Sequence, residues 1–213
     1  MGAGGFAREV LWLLEDMNQQ DRQWNVLGFI DDNSSLHGEE LCGFPVLGSF
    51  DWFSGGLRPK VISGVGSNKA RQTFASKAGL YGLEFATAIH PSVRRSRHIE
   101  IGNGCIICAG TALTTQISIG DHVNLNLNCT VGHDATIESY CNLSPGVHIS
   151  GHVSIQSGVD IGTGAVVLPS MSIGSNSTIG AGAVVTKDVP ANSLAVGIPA
   201  KVVRSLSGVH KEG

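Results

Sequence analysis

Residues 101–186 read IGNGCIICAGTALTTQISIGDHVNLNLNCTVGHDATIESYCNLSPGVHISGHVSIQSGVDIGTGAVVLPSMSIGSNSTIGAGAVVT. Stepping by six from Ile101 gives Ile107, Leu113, Ile119, Leu125, Val131, Ile137, Leu143, Ile149, Ile155, Ile161, Val167, Ile173, Ile179 and Val185. All fifteen positions are Ile, Leu or Val, with no insertion. A fixed period of this kind marks a repeat architecture in which each unit covers its neighbour. Four residues after each aliphatic comes a second inward candidate, usually small or β-branched, as at Cys105, Thr111, Val123, Cys129, Ala135, Cys141 and Ala165. Glycine often follows the aliphatic directly, as at Gly102, Gly120, Gly132, Gly162, Gly174 and Gly180. Short strands joined by tight corners need this composition: branched side chains to fill the interior, and glycine where the backbone turns or packs closely. Three hexads make one triangular coil of eighteen residues, so the run predicts about five coils. Parallel strands stacked about 4.8 Å apart would make a prism roughly 24 Å tall.

The run carries only four charged residues (Asp121, Asp134, Glu138 and Asp160), none of them basic. It closely resembles the hexapeptide-repeat acyltransferases. That resemblance implies a left-handed parallel β-helix; the spacing alone does not give the hand.

Residues 1–90 lack the hexads. Gly2-Ala3-Gly4-Gly5-Phe6-Ala7 precedes Val10, Leu11, Leu13, Leu14 and Met17, an amphipathic helical pattern. A glycine-rich turn opening a helix offers backbone N–H groups and a positive dipole end to an anion. Trp24–Ile30 is a strand candidate ending in Asp31-Asp32, where an acidic side chain can hold a ribose hydroxyl or base. Val61–Val65 is another, running into Gly66-Ser67-Asn68; 69–78 reads as helix and Phe85–Ile89 as strand. The expected fold is a Rossmann-like α/β domain lacking the strand that should precede the glycine turn. The expected boundaries are 1–90 for this domain, 91–190 for the β-helix and 191–213 for a segment that caps it.

Front domain and β-helix together, with GAGGFA, GFIDD, VGSN, VGHD, LSPG, GTGAVV, IGAGAVVTKDVP and GIPAK in order, resemble the sialic acid O-acetyltransferase and nucleotide-amino-sugar N-acetyltransferase family. The resemblance implies acetyl-CoA as co-substrate and a homotrimer with the acyl site between neighbouring β-helices. It places the nucleotide-sugar acceptor at Gly4, Gly5, Asp31, Asp32, Gly66 and Asn68. It also gives the histidine of the pair His133-Asp134 the part of general base. Acetylation of an amino group is the first expectation, and of a sugar hydroxyl such as that of sialic acid the alternative.

Acetyl transfer from a thioester needs a base, a donor for the developing oxyanion and alignment of two substrates. Of eight histidines, only His133 is followed by a carboxylate, which can orient an imidazole and stabilise its protonated form. Residues eighteen apart stack, so Gly151 lies one coil above His133, its backbone N–H a candidate oxyanion donor. Lys187 lies three coils above, about 14 Å along the axis. A pantetheine arm along that column would pass Ala165 and Ala181 and bring coenzyme A phosphates toward Lys187, Lys201 or Arg204. The family often has a second histidine where this chain has Asn142, which can hold a carbonyl but cannot titrate. The expected route is direct attack in a ternary complex.

A formal charge of −3 gives no reason to expect nucleic acid or an anionic membrane as partner. No apolar run reaches the roughly 18 residues of a membrane span, and the N-terminus lacks the pattern of a signal peptide. Five cysteines fit reduced thiols in the cytoplasm. Cys105, Cys129 and Cys141 fall on the inward register, and no metal is expected. Two other classes are compatible with the repeat: a γ-type carbonic anhydrase, with three zinc-binding histidines from among His122, His133, His148 and His152 meeting between subunits, and a non-catalytic sugar-nucleotide scaffold.

Overall fold

The structure is a computed structural model and describes residues 1–206; the end of the expected capping segment, 207–213, lies outside these residues. Three sheets wall a triangular prism. The first wall holds Ala88–Ile89, Ile106–Ile107, Asn124–Leu125, Asn142–Leu143, Asp160–Ile161, Thr178–Ile179, Ser193–Val196 and Lys201–Ser205. The second runs from Arg94–Arg95 to Val184–Val185 and the third from Ile99–Ile101 to Ser172–Ile173. Neighbours within each wall are parallel and eighteen residues apart, as Leu125 beside Leu143, Val131 beside Ile149, and Ile137 beside Ile155. The frame begins before Ile101, because Ile89 and Arg95 already pair with Ile107 and Leu113. Arg95 occupies an aliphatic position but is exposed at the end of the prism. At the other end the step shortens to sixteen, Ile173 bridging Val189 and Thr178 pairing with Leu194. Lys201–Ser205 then closes the first wall antiparallel to Ser193–Val196.

The hexad aliphatics fill the interior, with Leu125, Ile137, Leu143, Ile155, Ile161, Ile173 and Ile179 fully buried. The second register is inward too. The Sγ atoms of Cys105, Cys129 and Cys141 reach backbone carbonyl oxygens of Gly120, Ser144 and Gln156 at 3.1, 3.3 and 3.1 Å. Burial pushes these thiols up to about 11, 11 and 12, so they are structural and not nucleophilic.

The chain turns at the fourth position of each hexad. From Gly104 to Gly182, every sixth residue has φ between 54° and 74°, including Gln116, His122, Asp134, Tyr140, His152 and Ser170. The glycines at the second position answer to close packing instead. A Cβ on Gly132 would lie 2.5 Å from the backbone nitrogen of Gly151, one coil up.

In the front domain, α1 (Gly5–Gln20) follows the glycine turn and buries Val10, Leu11, Leu13 and Leu14. Strands β1 (Phe29–Ile30), β2 (Glu40–Leu41) and β3 (Phe44–Gly48) form a sheet in the order β1-β3-β2. Helix α2 (Asn68–Leu80) is capped by Ser67, whose Oγ accepts from Ala70 N. The expected strand Trp24–Ile30 is regular only at Phe29–Ile30, and Val61–Val65 contributes a single bridge, Val61 to Phe85. Between them lies a cavity of about 350 Å³, lined by Trp24, Val26, Leu27, Pro59, Lys60 and Ile62 among others. At one end of it Gly2 N donates to Ile30 O and Gly64 N to Met1 O, both at 2.8 Å.

The two domains dock through α1, whose Val10, Leu13 and Leu14 pack on Ala88, Ile106 and Cys108. Arg71 on α2 pins the seam. It is fully buried, donating from Nη1 to the carbonyls of Val65 and Gly66 and from Nη2 to those of Tyr140 and Cys141. Burial pulls the guanidinium down to about 10, which leaves it charged at neutral pH.

Candidate functional site

The corner between the second and third walls carries two successive turns, Gly132-His133-Asp134 and Ser150-Gly151-His152. His133 Nδ1 and Asp134 Oδ2 are 2.7 Å apart, and both side chains are about half exposed. With Nδ1 held by the carboxylate, Nε2 is the end of the ring available to a substrate. The ring rests on Gly151, where a Cβ would come within 2.7 Å of Cε1 and Nε2. His152 stands beside it on the upper coil, its ring perpendicular at 5.0 Å and its Nε2 3.8 Å from Asp134 Oδ2.

Gly151 is buried beneath the imidazole rather than laid open, but its N–H is unspent. At equivalent third positions, the amides of Asn103, Asp121, Ser157 and Ser175 donate to side-chain oxygens of Asp121, Ser139, Glu138 and Gln156 on neighbouring coils. The Gly151 amide has no such partner among the described residues, and its carbonyl accepts from Ser170 N. An imidazole and an unpartnered amide therefore lie against one another at this corner, the ring half exposed and the amide buried beneath it.

The other expected site residues are more scattered. Lys187 follows Val184–Val185 into the same corner and is exposed, at the top of the His133–Gly151 column. Ala165 is fully buried because it falls on the inward register, and cannot line a surface path. Ala181 is exposed at the corner between the first and second walls, a different edge from that of His133. Lys201 opens the last strand of the first wall, and Arg204 lies on the same strand. Asn142 also lies on the first wall, opposite the His133 corner, where its Oδ1 accepts from Asn124 at 3.4 Å. Within one chain it does not meet His133.

In the front domain, Gly4 caps α1 and Gly5 opens it; an added Cβ at either would meet nothing. Asp31 turns its carboxylate to this loop, Oδ2 accepting from Ala3 N at 2.8 Å and Oδ1 from Asn33 N at 2.9 Å. Asp32 pairs with Lys77 at 2.6 Å. Gly66 follows the neighbouring strand segment with open space around it. These five residues share the carboxyl end of the sheet. Asn68 does not join them: it points into the seam, where Nδ2 donates to Gly158 O. Asp160 lies in the same seam, hydrogen-bonded by Asn68 and Asn142, and burial raises its carboxyl while Arg71 opposes the shift.

The remaining coil histidines lie apart. His122 is buried at the corner between the third and first walls, stacked on Tyr140 at 4.9 Å and edge-on to Phe85 at 4.6 Å, and burial lowers it. His148 is exposed on the second wall, with Nδ1 2.9 Å from Thr130 Oγ1. Within one chain, His122, His133 and His148 therefore lie on different sides of the prism.

Residues 1–78 match the family model of the PglD N-terminal domain. GDP-perosamine N-acetyltransferase of Escherichia coli O157:H7 is 33% identical over 141 residues, which span 65% of this chain and 63% of that enzyme. WeeI from Acinetobacter baumannii AYE superposes with a TM-score of 0.87 at 33% identity, over 95% of this chain and 97% of that one. PerB from Caulobacter crescentus, solved in complex with CoA and GDP-perosamine, superposes with a TM-score of 0.86 at 31% identity, over 94% of each chain. The hexad frame, the family model over the front domain and the superpositions on WeeI and PerB over nearly the whole length agree: the chain belongs to the hexapeptide-repeat acetyltransferases of nucleotide-linked amino sugars.

Proposed function

We propose that the chain transfers acetyl from acetyl-CoA to the amino group of a nucleotide-linked amino sugar, with a GDP-linked sugar of the perosamine type as first candidate. The observation that carries this reading is the His133 imidazole, held at Nδ1 by Asp134, resting on the unpartnered amide of Gly151. The relatives supply the substrates: CoA and GDP-perosamine are the ligands of PerB.

The amine attacks the thioester carbonyl while His133 Nε2 accepts a proton from it. Gly151 N–H holds the oxygen that becomes negative, the C–S bond breaks, and the proton passes from His133 to the departing thiolate. Asp134 keeps the proton on Nδ1, so that Nε2 presents its lone pair, and stabilises the imidazolium once formed. Lys187 at the head of the column receives a CoA phosphate. Gly4, Gly5, Asp31, Asp32 and Gly66 form the nucleotide end of the acceptor site, and Asn68 acts at the domain seam.

His133 and Asn142 lie at opposite sides of one prism, so a role for Asn142 near the acyl group requires a neighbouring copy. A homotrimer with clefts between prisms meets that need, and Lys201 would reach coenzyme A across the same cleft. Among the described residues, no helix is long and apolar enough to cross a membrane. A cytoplasmic setting fits the free, buried thiols.

The test is thiol release from acetyl-CoA with GDP-perosamine, UDP- and dTDP-linked amino sugars, and sialic acid. Turnover on an amino sugar that falls by about 10²–10⁴-fold in His133→Ala is the expected result. Turnover confined to sialic acid would replace N- by O-acetylation, and a His133→Ala enzyme at full rate would remove the base assignment.

A further inference from the structure

His152 has no part in the transfer described above, yet it completes a constellation. The ligand atoms of His133, Asp134 and His152 all lie within 4.8 Å of one another. Asp134 Oδ2 stands between the two rings, 2.7 Å from His133 Nδ1 and 3.8 Å from His152 Nε2. Donors around tetrahedral zinc, with bonds of about 2.0–2.2 Å, are about 3.3–3.5 Å apart, between the two spacings seen here. Small ring rotations would bring all three onto one ion, with water in the fourth position.

The backbone holds the three in place. Asp134 and His152 occupy the same left-handed corner position on successive coils, with φ of 59° and 58°. His152 N donates to His133 O at 2.9 Å, which locks the two turns together. The nearest basic residues of the column stand whole coils away: 101–186 contain neither Lys nor Arg, Lys187 is about 14 Å up and Arg97 about 10 Å down. The donor set of two imidazoles and one carboxylate suits zinc and its neighbours, not magnesium or calcium. The His90–Asp16 pair provides a contrast on the same molecule: Nε2 meets Oδ2 at 3.0 Å, but among the described residues no third ligand joins it.

We propose that His133, Asp134 and His152 form a binding site for zinc or a similar divalent transition metal, and that its occupancy switches the acetyltransferase off. A metal on Nδ1 of His133 takes the lone pair of that nitrogen and displaces the bond to Asp134. The ring proton must then sit on Nε2, which can no longer accept a proton from the amine. The inhibition rests on the base assigned to His133, whereas the metal site itself does not.

Titration calorimetry of Zn²⁺ into the metal-free full chain, compared with His152→Asn, separates the two. Asparagine is at ease at positive φ, so this variant removes the ligand and spares the corner. The expected result is one zinc per chain at micromolar affinity, weakened about tenfold or more in His152→Asn, with no heat from Mg²⁺. Each protein's acetyl transfer in micromolar Zn²⁺, relative to its own rate in EDTA, should fall at least tenfold for the native chain and little for His152→Asn. Equal zinc affinity in the two proteins, or none in either, would overturn the site. Zinc that binds through His152 but leaves transfer unchanged would overturn the switch.

Discussion

His133 can lie where it does because residue 151 has no side chain. A Cβ there would come within 2.7 Å of two ring atoms, so Gly151→Ala is expected to tilt the base off its donor. The expected outcome is a fall in kcat of tenfold or more with a nearly unchanged thermal midpoint. An unchanged kcat would mean that the base does not act from this position. The contact of Gly151 with His133 was legible in the sequence because the eighteen-residue step turns distance along the chain into vertical contact. The same step from Asp134 leads to His152, which adjacency along the chain hides. It also places Ala165 inside. Arg71 was not legible: a single arginine on α2 resembles any solvated charge, and two of its four carbonyl partners lie sixty-nine and seventy residues away.

At the scale of the repeat, two kinds of glycine do different work, and alanine substitution separates them. Gly182 sits at a corner with φ of 66° and nothing within reach of an added Cβ. Gly182→Ala should cost about 1–2 kcal/mol through backbone conformation alone. At Gly162 the backbone is ordinary, but a Cβ would lie 2.5 Å from Ala181 N. Gly162→Ala should cost about 1–3 kcal/mol through forced separation of coils. Urea midpoints measure both, and a neutral Gly182→Ala would show that the corner carries no strain. The inward registers were plain in the sequence, since the first is uniformly aliphatic and the second apolar apart from Thr111 and Ser177. The turning position was not, because Gln, His, Asn, Asp, Tyr, Ser and Gly all occupy it. Glycine is about as frequent at the second position as at the fourth, so its count does not single out the turn.

For the whole molecule, the division into two domains follows from the loss of hexads before residue 88, but the grip between the domains does not. One buried guanidinium satisfies carbonyls from both sides of the seam. Arg71→Met keeps the stem and leaves the carbonyls of Val65, Gly66 and Tyr140 without a donor, while Cys141 O keeps Asn124 N; the change is expected to cost about 3–5 kcal/mol. Calorimetry should then show the front domain melting ahead of the prism. A single unshifted transition would show that α1 alone holds the domains together. The short strands of the front domain were hard to read for a related reason: with a cavity of about 350 Å³ between Trp24–Leu27 and Pro59–Ile62, a run with strand-like side chains has no ladder along its inner edge.

The strict sixfold frame between residues 101 and 185 also limits how this chain can change in length. Gaining or losing six residues rotates everything downstream by a third of a turn and carries Lys187 to another edge. Gaining or losing eighteen keeps the edge and moves Lys187 one rung, about 4.8 Å, relative to His133. The prism is therefore a ruler with a single graduation, and the separation of Lys187 from His133 along their common edge can be reset only in whole coils.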